Sequence, residues 1–419
     1  MPNNTSSQFR RLDYVKITVL GFALTGLWQS IHTIVLPIRL LDFVAESQKN
    51  TYLGLLTLAG LLLAMVVQPV AGAVSDRSNF RWGRRRPYIL VGSILALFFI
   101  SGIGFAATYA AIFVMYCLLQ VCTNTAQGPY QAFIPELAPP DKHGLASGVK
   151  SLLEVVGGIV FIYLTSLFMD RYFSGEGSYW LWVVLGLLAL VLLAAMLVTV
   201  TMVREPPAAN GVRRASPLAA WYRNVRQVLA SRDLVWFLLS RLIVFMAFTT
   251  IQQFALYYLN DVIGVTNPAE ATARFSVIAV VGMVVVVWPA GFISDRIGRR
   301  FLTIAAGLLG ALGIGIIALS QEYGTILWAA AIIGIAMGIF NSANWALATD
   351  LVARGEEAEY LGIANMATAG GAALARLVGI GIDFFNGYSP GLGYTFMLLL
   401  CLAYFVVGSL LVLKIRQHR

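Results

Sequence analysis

Residues 72–87 read GAVSDRSNFRWGRRRP, and residues 291–300 read GFISDRIGRR. Each stretch closes a long apolar run with glycine, serine, aspartate and arginine in the same order, then opens onto more arginines and another apolar run. The second copy begins 219 residues after the first (291 against 72), close to half of the 419-residue chain. Loop arginines alone need only the rule that cytoplasmic segments carry positive charge. That rule does not explain an acid at the same place in both loops, flanked by glycines that let helices approach closely. A second correspondence follows at nearly the same spacing: Asn124 and Gln127 are answered by Asn341 and Asn344, and Gly144 by Gly362. The chain therefore reads as two related halves.

Outward from these loops the sequence is a series of apolar runs. About 20 apolar residues cover the hydrocarbon core of a bilayer as a helix. Such runs lie near 15–37, 52–75, 87–107, 109–133, 145–169 and 179–203, and again near 233–259, 272–293, 301–319, 325–349, 359–384 and 392–414. Hydrophobic residues make up 59% of the chain and charged ones 12%, against about 25% charged in a soluble domain. The expected fold is an all-α membrane protein of twelve transmembrane helices in two pseudo-symmetric six-helix bundles, residues 1–203 and 233–419. The polar stretch 204–232, with Arg204, Arg213, Arg214, Arg223, Arg226, Arg232 and three prolines, reads as the linker between them. The first apolar run is too long for a signal-peptide core and lacks a small-residue cleavage site, so it is expected to stay as the first span.

Charge sets the orientation. All but six of the 29 Lys and Arg residues fall in the two terminal segments, the linker and alternate loops. The exceptions are Arg39, Lys49, Arg171 and Arg274, assigned to the opposite loops, and Arg241 and Arg376, inside spans. Both termini are expected to face the cytoplasm of a cell (inner or plasma) membrane. The net charge of +9 is thus topological and implies no nucleic acid. Cys117, Cys122 and Cys401 lie in apolar runs as small packing residues, with no disulfide framework. No metal cluster, nucleophile triad or nucleotide fingerprint appears, so neither an enzyme nor a cofactor is expected, and transport has to be driven by a gradient. Gly144-x-x-x-Gly148-x-Lys150-Ser151 has the wrong spacing for a phosphate loop and no preceding strand.

The paired loops, with Gly72, Asp76, Arg77 and Arg84 in one and Asp295, Arg296 and Arg299 in the other, resemble the loop signature of the major facilitator superfamily. The resemblance implies that these residues gate the cytoplasmic side and that the first, fourth, seventh and tenth helices line a central cavity. Two segments resemble the sucrose/proton symporters and glycoside cation symporters more closely: RWGRRRPYI at 81–89, and Asn124-x-x-Gln127-Gly128-Pro129-x-x-Ala132-Phe133-x-x-Glu136-Leu137. The sucrose pattern places an acid and an arginine where this chain has Gln120 and Gln131. Acids are also absent from the second and fourth spans, which argues against a melibiose-type sodium site there.

Gln120, Asn124, Gln127 and Gln131 fall at i, i+4, i+7 and i+11, one face of the fourth helix. Such a stripe either joins helices by amide hydrogen bonds or lines a water-filled cavity. Trp28, Gln29 and His32 on the first helix, Gln252, Gln253 and Tyr257 on the seventh, and Asn341, Asn344 and Trp345 on the tenth fall where the resemblance would put cavity residues. All thirteen are candidate substrate contacts. Charges at membrane depth are usually functional. Glu154, the only acid near mid-span, is the leading proton carrier, or else a structural partner of Lys150 or of an arginine. Arg241, Arg376 and Asp383 are further coupling candidates, and His32 either titrates or makes an ordinary hydrogen bond. The favoured reading is a monomeric, proton-coupled secondary transporter of a small organic solute, a sugar or glycoside. A proton-driven exporter of drug-like or lipid-like compounds and a non-transporting receptor or scaffold are the alternatives. A cysteine introduced into 204–232 should react with an impermeant maleimide only after the cells are opened; labelling of intact cells would reverse the orientation.

Overall fold

The computed structural model describes residues 10–78, 80–203, 205, 231–351 and 357–415, with side chains for all of these except 349–351 and 357–362. The expected linker at 204–232 lies largely outside them. Among the described residues there is no strand, and twelve helices are long and apolar enough to cross a membrane. They are α1 (Arg11–Leu40), α2 (Glu46–Asp76), α3 (Arg86–Phe105), α4 (Tyr109–Leu137), α5 (Pro140–Phe173), α6 (Tyr179–Met202), α7 (Arg232–Ile263), α8 (Pro268–Ile297), α9 (Arg299–Leu319), α10 (Tyr323–Ala348), α11 (Ile363–Asn386) and α12 (Leu392–Lys414). Helices are the required solution, because hydrocarbon offers no partner to a backbone N–H or C=O left outside one.

The helices outrun the apolar segments that predict them, and one expectation is corrected. Arg39, Lys49, Arg171 and Arg274 do not sit in loops; each is part of a helix, near its end. Their charges are met locally. Arg171 lies over the Trp180 ring at 4.4 Å, and Arg274 pairs with Glu270 one turn earlier. Arg39 is buried, pairs with Asp42, and donates to Tyr172 Oη at 3.0 Å and to the carbonyls of Gly104 and Ala106 at 3.2 and 2.7 Å. A guanidinium at the end of α3 thereby satisfies carbonyls that the helix cannot bond itself and opposes its negative dipole end.

Two compact units divide the chain. One contains Met1–Phe43 and Ala59–Asn210, the other Val44–Leu58 and Gly211–Arg419, so the first turns of α2 belong to the second unit. There Lys49 Nζ lies 2.8 Å from Asp261, Tyr394 Oη donates to Asp261 at 2.6 Å, and Asn50 Nδ2 donates to Asp383 at 2.8 Å. The other Asp383 oxygen accepts from the Thr51 backbone N–H at 2.6 Å, capping the start of α2.

Two helices carry π turns: α1 at Ile31–Val35 and α7 at Leu259–Ile263. A π turn widens the helix by one residue and re-aims the side chains around it. In α11 the helical pattern breaks at Arg376 and Leu377, between Glu357–Ala375 and Val378–Asn386. Arg376 and Asp383, two turns apart on one face by sequence, are separated by this break.

Close helix contact in a bilayer depends on small residues, because lipid supplies no hydrophobic drive between helices. In α10, Gly334 and Gly338 form a G-x-x-x-G pair against α8. A Cβ at Gly334 would lie 2.0 Å from the Ala279 carbonyl oxygen, and one at Gly338 would lie 2.5 Å from that of Met283. The obstacle in both cases is backbone, which cannot rotate aside. Gly334→Ala is therefore expected to cost about 1–3 kcal/mol as overpacking, read as a lower thermal midpoint of the purified protein. Gly315→Ala, in open space on α9, should leave the midpoint where it is.

Candidate functional site

Tyr116, a residue the amide stripe leaves out, organises the polar interior of the first unit. The π turn of α1 carries His32, whose Nε2 lies 2.8 Å from Tyr116 Oη on α4. Gln120, one turn on from Tyr116, donates its amide to the same hydroxyl at 2.8 Å and lies 3.4 Å from His32. Asn124, a turn further, donates to Gln120 Oε1 at 3.1 Å and to the Gln120 carbonyl at 2.8 Å. Trp28 stacks on the His32 ring with centroids 4.9 Å apart and planes inclined by 23°. Trp28, His32, Tyr116, Gln120 and Asn124 thus form one continuous chain of polar and aromatic groups. Gln120 and Asn124 are buried, Gln127 is half-buried and Gln131 exposed, and the chain stops at Asn124. Gln29 is half-buried beside Gly158 of α5.

Glu154 lies in the same unit. Its Oε1 is 3.8 Å from Lys150 Nζ, one turn earlier on α5, and Lys150 lies over the Tyr130 ring at 5.4 Å. Gly21 of α1 makes this grouping possible: a Cβ there would lie 2.8 Å from Glu154 Oε1 and 2.5 Å from Tyr130 Oη. The Tyr130 hydroxyl donates to the Thr18 carbonyl at 2.9 Å, which fixes the phenol beside the carboxylate.

In the second unit, Arg241 is 2% exposed. Its Nη1 donates to Asn344 Oδ1 at 2.6 Å and its Nε to Thr368 Oγ1 at 2.8 Å, while the guanidinium lies 4.7 Å from the Trp345 ring centroid and 5.1 Å from that of Phe245. Gln253 is buried with Nε2 unbonded, Gln252 is half-buried, and buried Tyr257 lies under Lys49 at 5.0 Å. Arg376 turns Nη1 back onto the Ala372 carbonyl of its own helix.

The two repeated loops differ in what their arginines hold. Arg85, 3% exposed, binds Asp76 at 2.7 Å and Glu136 through Nε at 2.7 Å, with a second contact to Glu136; Arg84 also reaches Glu136. Burial would lower the proton affinity of the Arg85 guanidinium, but hydrogen bonds and charge from Glu136 and Asp76 outweigh it and hold the pKa above its ordinary value. Glu205 accepts from the backbone N–H groups of Arg85 and Arg86, each at 2.9 Å, so a carboxylate sits on the positive end of α3. Gly83, at φ +123°, makes the turn, and a Cβ there would meet that carboxylate at 2.9 Å. In the second loop Asp295 meets Arg299 at 3.4 Å, and Arg299 donates to the Ala346 carbonyl at 2.6 Å. The loop positions Gly72 and Gly291 lie at the α2 and α8 ends, with Gly72 facing the Gly128 backbone of α4.

A family profile described as MFS/sugar transport protein matches residues 20–415. The chain belongs to this family. It is 31% identical over 133 residues to the sucrose transport protein SUC3 of Arabidopsis thaliana, a match covering 26% of this chain and 22% of the relative. It is 33% identical over 125 residues to the sucrose transport protein SUT4 of Oryza sativa subsp. indica, covering 25% and 21%. The chain thus matches about a fifth of the length of these relatives. Among solved structures, the nucleoside transporter NupG superposes with a TM-score of 0.78 at 13% identity over 97% of this chain and 99% of that one. The D-xylose-proton symporter gives 0.70 at 17% identity over 97% and 98%. These likenesses establish the major facilitator fold and a multi-pass membrane protein.

The contrast between the loops is measurable. Arg85→Ala and Glu136→Ala should each lower the thermal midpoint, and the double variant should lose less than the sum, because the pair is buried and hydrogen-bonded. At the second loop, where the Asp295 carboxylate is exposed and 3.4 Å from Arg299, Asp295→Ala should change the midpoint by close to nothing.

Proposed function

We propose that this family member is a secondary active transporter that carries a sugar or glycoside by alternating access, coupled to protons. The observation that carries this reading is the chain from Trp28 through His32, Tyr116 and Gln120 to Asn124. It offers an aromatic face for the apolar side of a sugar ring and amide and hydroxyl groups for its hydroxyls, within the first unit. Family membership and the partial likeness to sucrose transport proteins support the same substrate class. On this reading both termini face the cytoplasm, and Gly72, Asp76, Arg77, Arg84, Asp295, Arg296 and Arg299 belong to the cytoplasmic gate. Asp76 acts there through Arg85. Asn341, Asn344, Trp345, Gln252, Gln253 and Tyr257 contribute to the substrate path from the second unit.

Glu154 is the proton carrier in this proposal. Its carboxylate has one cation at long range, Lys150, and a phenol fixed beside it. A carrier has to gain and lose a proton without losing its place, and a 3.8 Å ion pair on one helix face leaves that freedom. Coupling requires that proton affinity differ between the two states of the cycle, which Lys150 supplies if its distance to Glu154 changes between them. Glu154→Gln keeps the shape and cannot ionise. Proteoliposomes bearing that variant should exchange labelled sugar across the membrane at near wild-type rates yet fail to accumulate it against a gradient in response to an imposed pH difference. Wild-type accumulation by the variant would make Glu154 structural and move coupling elsewhere.

A further inference from the structure

The first repeated loop is longer than its sequence partner, and the excess lies outside the Asp76–Arg85–Glu136 network. Five residues, 78–82, separate Arg77 from Gly83, where the second loop has Ile297 alone between Arg296 and Gly298. The two glycines answer each other in structure as in sequence, with φ of +123° and +97°. One residue is thus enough to carry the chain from one span to the next, and the four extra ones need another reason. Residues 80–83 form a turn closed by a bond from the Gly83 N–H to the Phe80 carbonyl at 3.2 Å. Arg86 Nη1 donates to the Trp82 carbonyl at 3.2 Å, and the Phe80 ring lies edge-on to Tyr88, whose hydroxyl is 2.6 Å from Ser78 Oγ. Arg81 and Trp82 occupy the tip of this turn. Phe80 is nevertheless 51% and Trp82 47% exposed, and Arg81 between them is exposed as well. Two large rings turned outward on a closed turn, with a cation between them, make a contact surface.

Position and charge say what covers it. Val66, Val70 and Val74, exposed at i, i+4 and i+8, mark the lipid side of α2, and the turn follows on the end of that helix, where headgroups replace acyl chains. The carboxylates of this loop are engaged away from the tip. Asp76 and Glu136 hold Arg84 and Arg85, and Glu205 holds the backbone N–H groups of Arg85 and Arg86. Among the described residues neither Arg81 nor Arg77, which is also exposed, has a carboxylate partner. We propose that the 80–83 turn docks on an anionic phospholipid of the leaflet it faces. The Arg81 guanidinium takes the phosphodiester, Arg77 adds charge, and Phe80 and Trp82 seat at the boundary between headgroups and acyl chains. A guanidinium matches two phosphate oxygens with parallel donors, aromatic rings favour this layer, and basic residues beside a span draw anionic lipid. The turn is already formed, so binding does not have to order it. A soluble acidic protein would meet the arginine but has no claim on rings set at the end of a lipid-facing stripe. In the second loop the one residue at this place, Ile297, carries no charge, so the device belongs to the first loop.

The test reads the turn itself: amide hydrogen exchange of residues 80–84 in the full-length protein, in nanodiscs of phosphatidylcholine alone and of phosphatidylcholine with phosphatidylglycerol. The expected result is exchange at least three-fold slower with phosphatidylglycerol, reversed by high salt. Arg81→Gln should abolish the slowing while keeping the wild-type thermal midpoint in phosphatidylcholine, because Arg81 is exposed. Trp82→Ser, which removes the ring and keeps the charge, should reduce the slowing by half or more. Equal exchange in the two bilayers would overturn the proposal, as would slowing that persists undiminished in either variant. The soluble headgroup glycerophosphoglycerol, added to phosphatidylcholine nanodiscs, is the remaining arm. If it slows exchange as much as the lipid does, the turn binds a free phosphodiester and the lipid docking is overturned. Both faces of a nanodisc carry the same lipids, so the outcome does not depend on which face is cytoplasmic, and failure would leave the transport reading standing.

Discussion

A charge taken out of water and into hydrocarbon has to find its counterpart inside the protein, and this constraint organises the polar interior. Among the described residues four arginines are buried, and each is settled differently. Arg85 is surrounded by carboxylates; Arg39 divides itself between one carboxylate, a phenol and the carbonyl end of α3. Arg376 folds back on its own helix at a break in the helical pattern. Among the described residues Arg241 is held by neutral oxygens and ring faces. Among the described residues the series runs from full compensation at the basic loop to none at Arg241.

The halves repeat in sequence yet diverge in this respect. The Ser-Asp-Arg signature is present in both loops, but among the described residues only the first has a glutamate to close it, Glu136 at the end of α4. At the spacing that relates Asn124 to Asn341, Glu136 is answered by Ala353. The first loop is consequently a buried network anchored on Arg85, while Asp295 in the second is largely exposed and its arginine bonds a backbone carbonyl. Internal symmetry fixes the path of the chain through the bilayer; the ion pairs at its turns are set half by half.

The spans were legible because apolar runs of sufficient length have one outcome in lipid. Their ends were not, since Arg39, Lys49, Arg171 and Arg274 halt a hydropathy count but not a helix, and their carboxylate, carbonyl and ring partners are remote in sequence or read as loop residues. The polar stripe of α4 was legible as a face. Gln120 and Asn124 enter the hydrogen-bonded chain and Gln127 and Gln131 do not, while Tyr116, one turn back from Gln120 at the same spacing, joins it. Arg85 was inconspicuous as one of three consecutive arginines, and nothing local distinguishes the one that will be buried. Pro37, whose missing N–H leaves the Thr33 carbonyl without its α-helical partner, announces the π turn under His32. The break at Arg376 has no proline near it and expresses tertiary packing, which a single sequence does not display.

The cap on α2 has a consequence for how the protein is made. The Thr51 amide is satisfied by a carboxylate 332 residues further along the chain, and Lys49 and Asn50 have partners 212 and 333 residues away. During synthesis α2 enters the membrane long before Asp261, Asp383 or Tyr394 exist. Until α7, α11 and α12 arrive, a lysine, an asparagine and the open first turn of a helix have only water and headgroups to bond. The start of α2 must therefore rest at the membrane surface as a polar, frayed end and be drawn into its buried position late. Biogenesis of this protein thus has a closing step in which the last helices complete the second one.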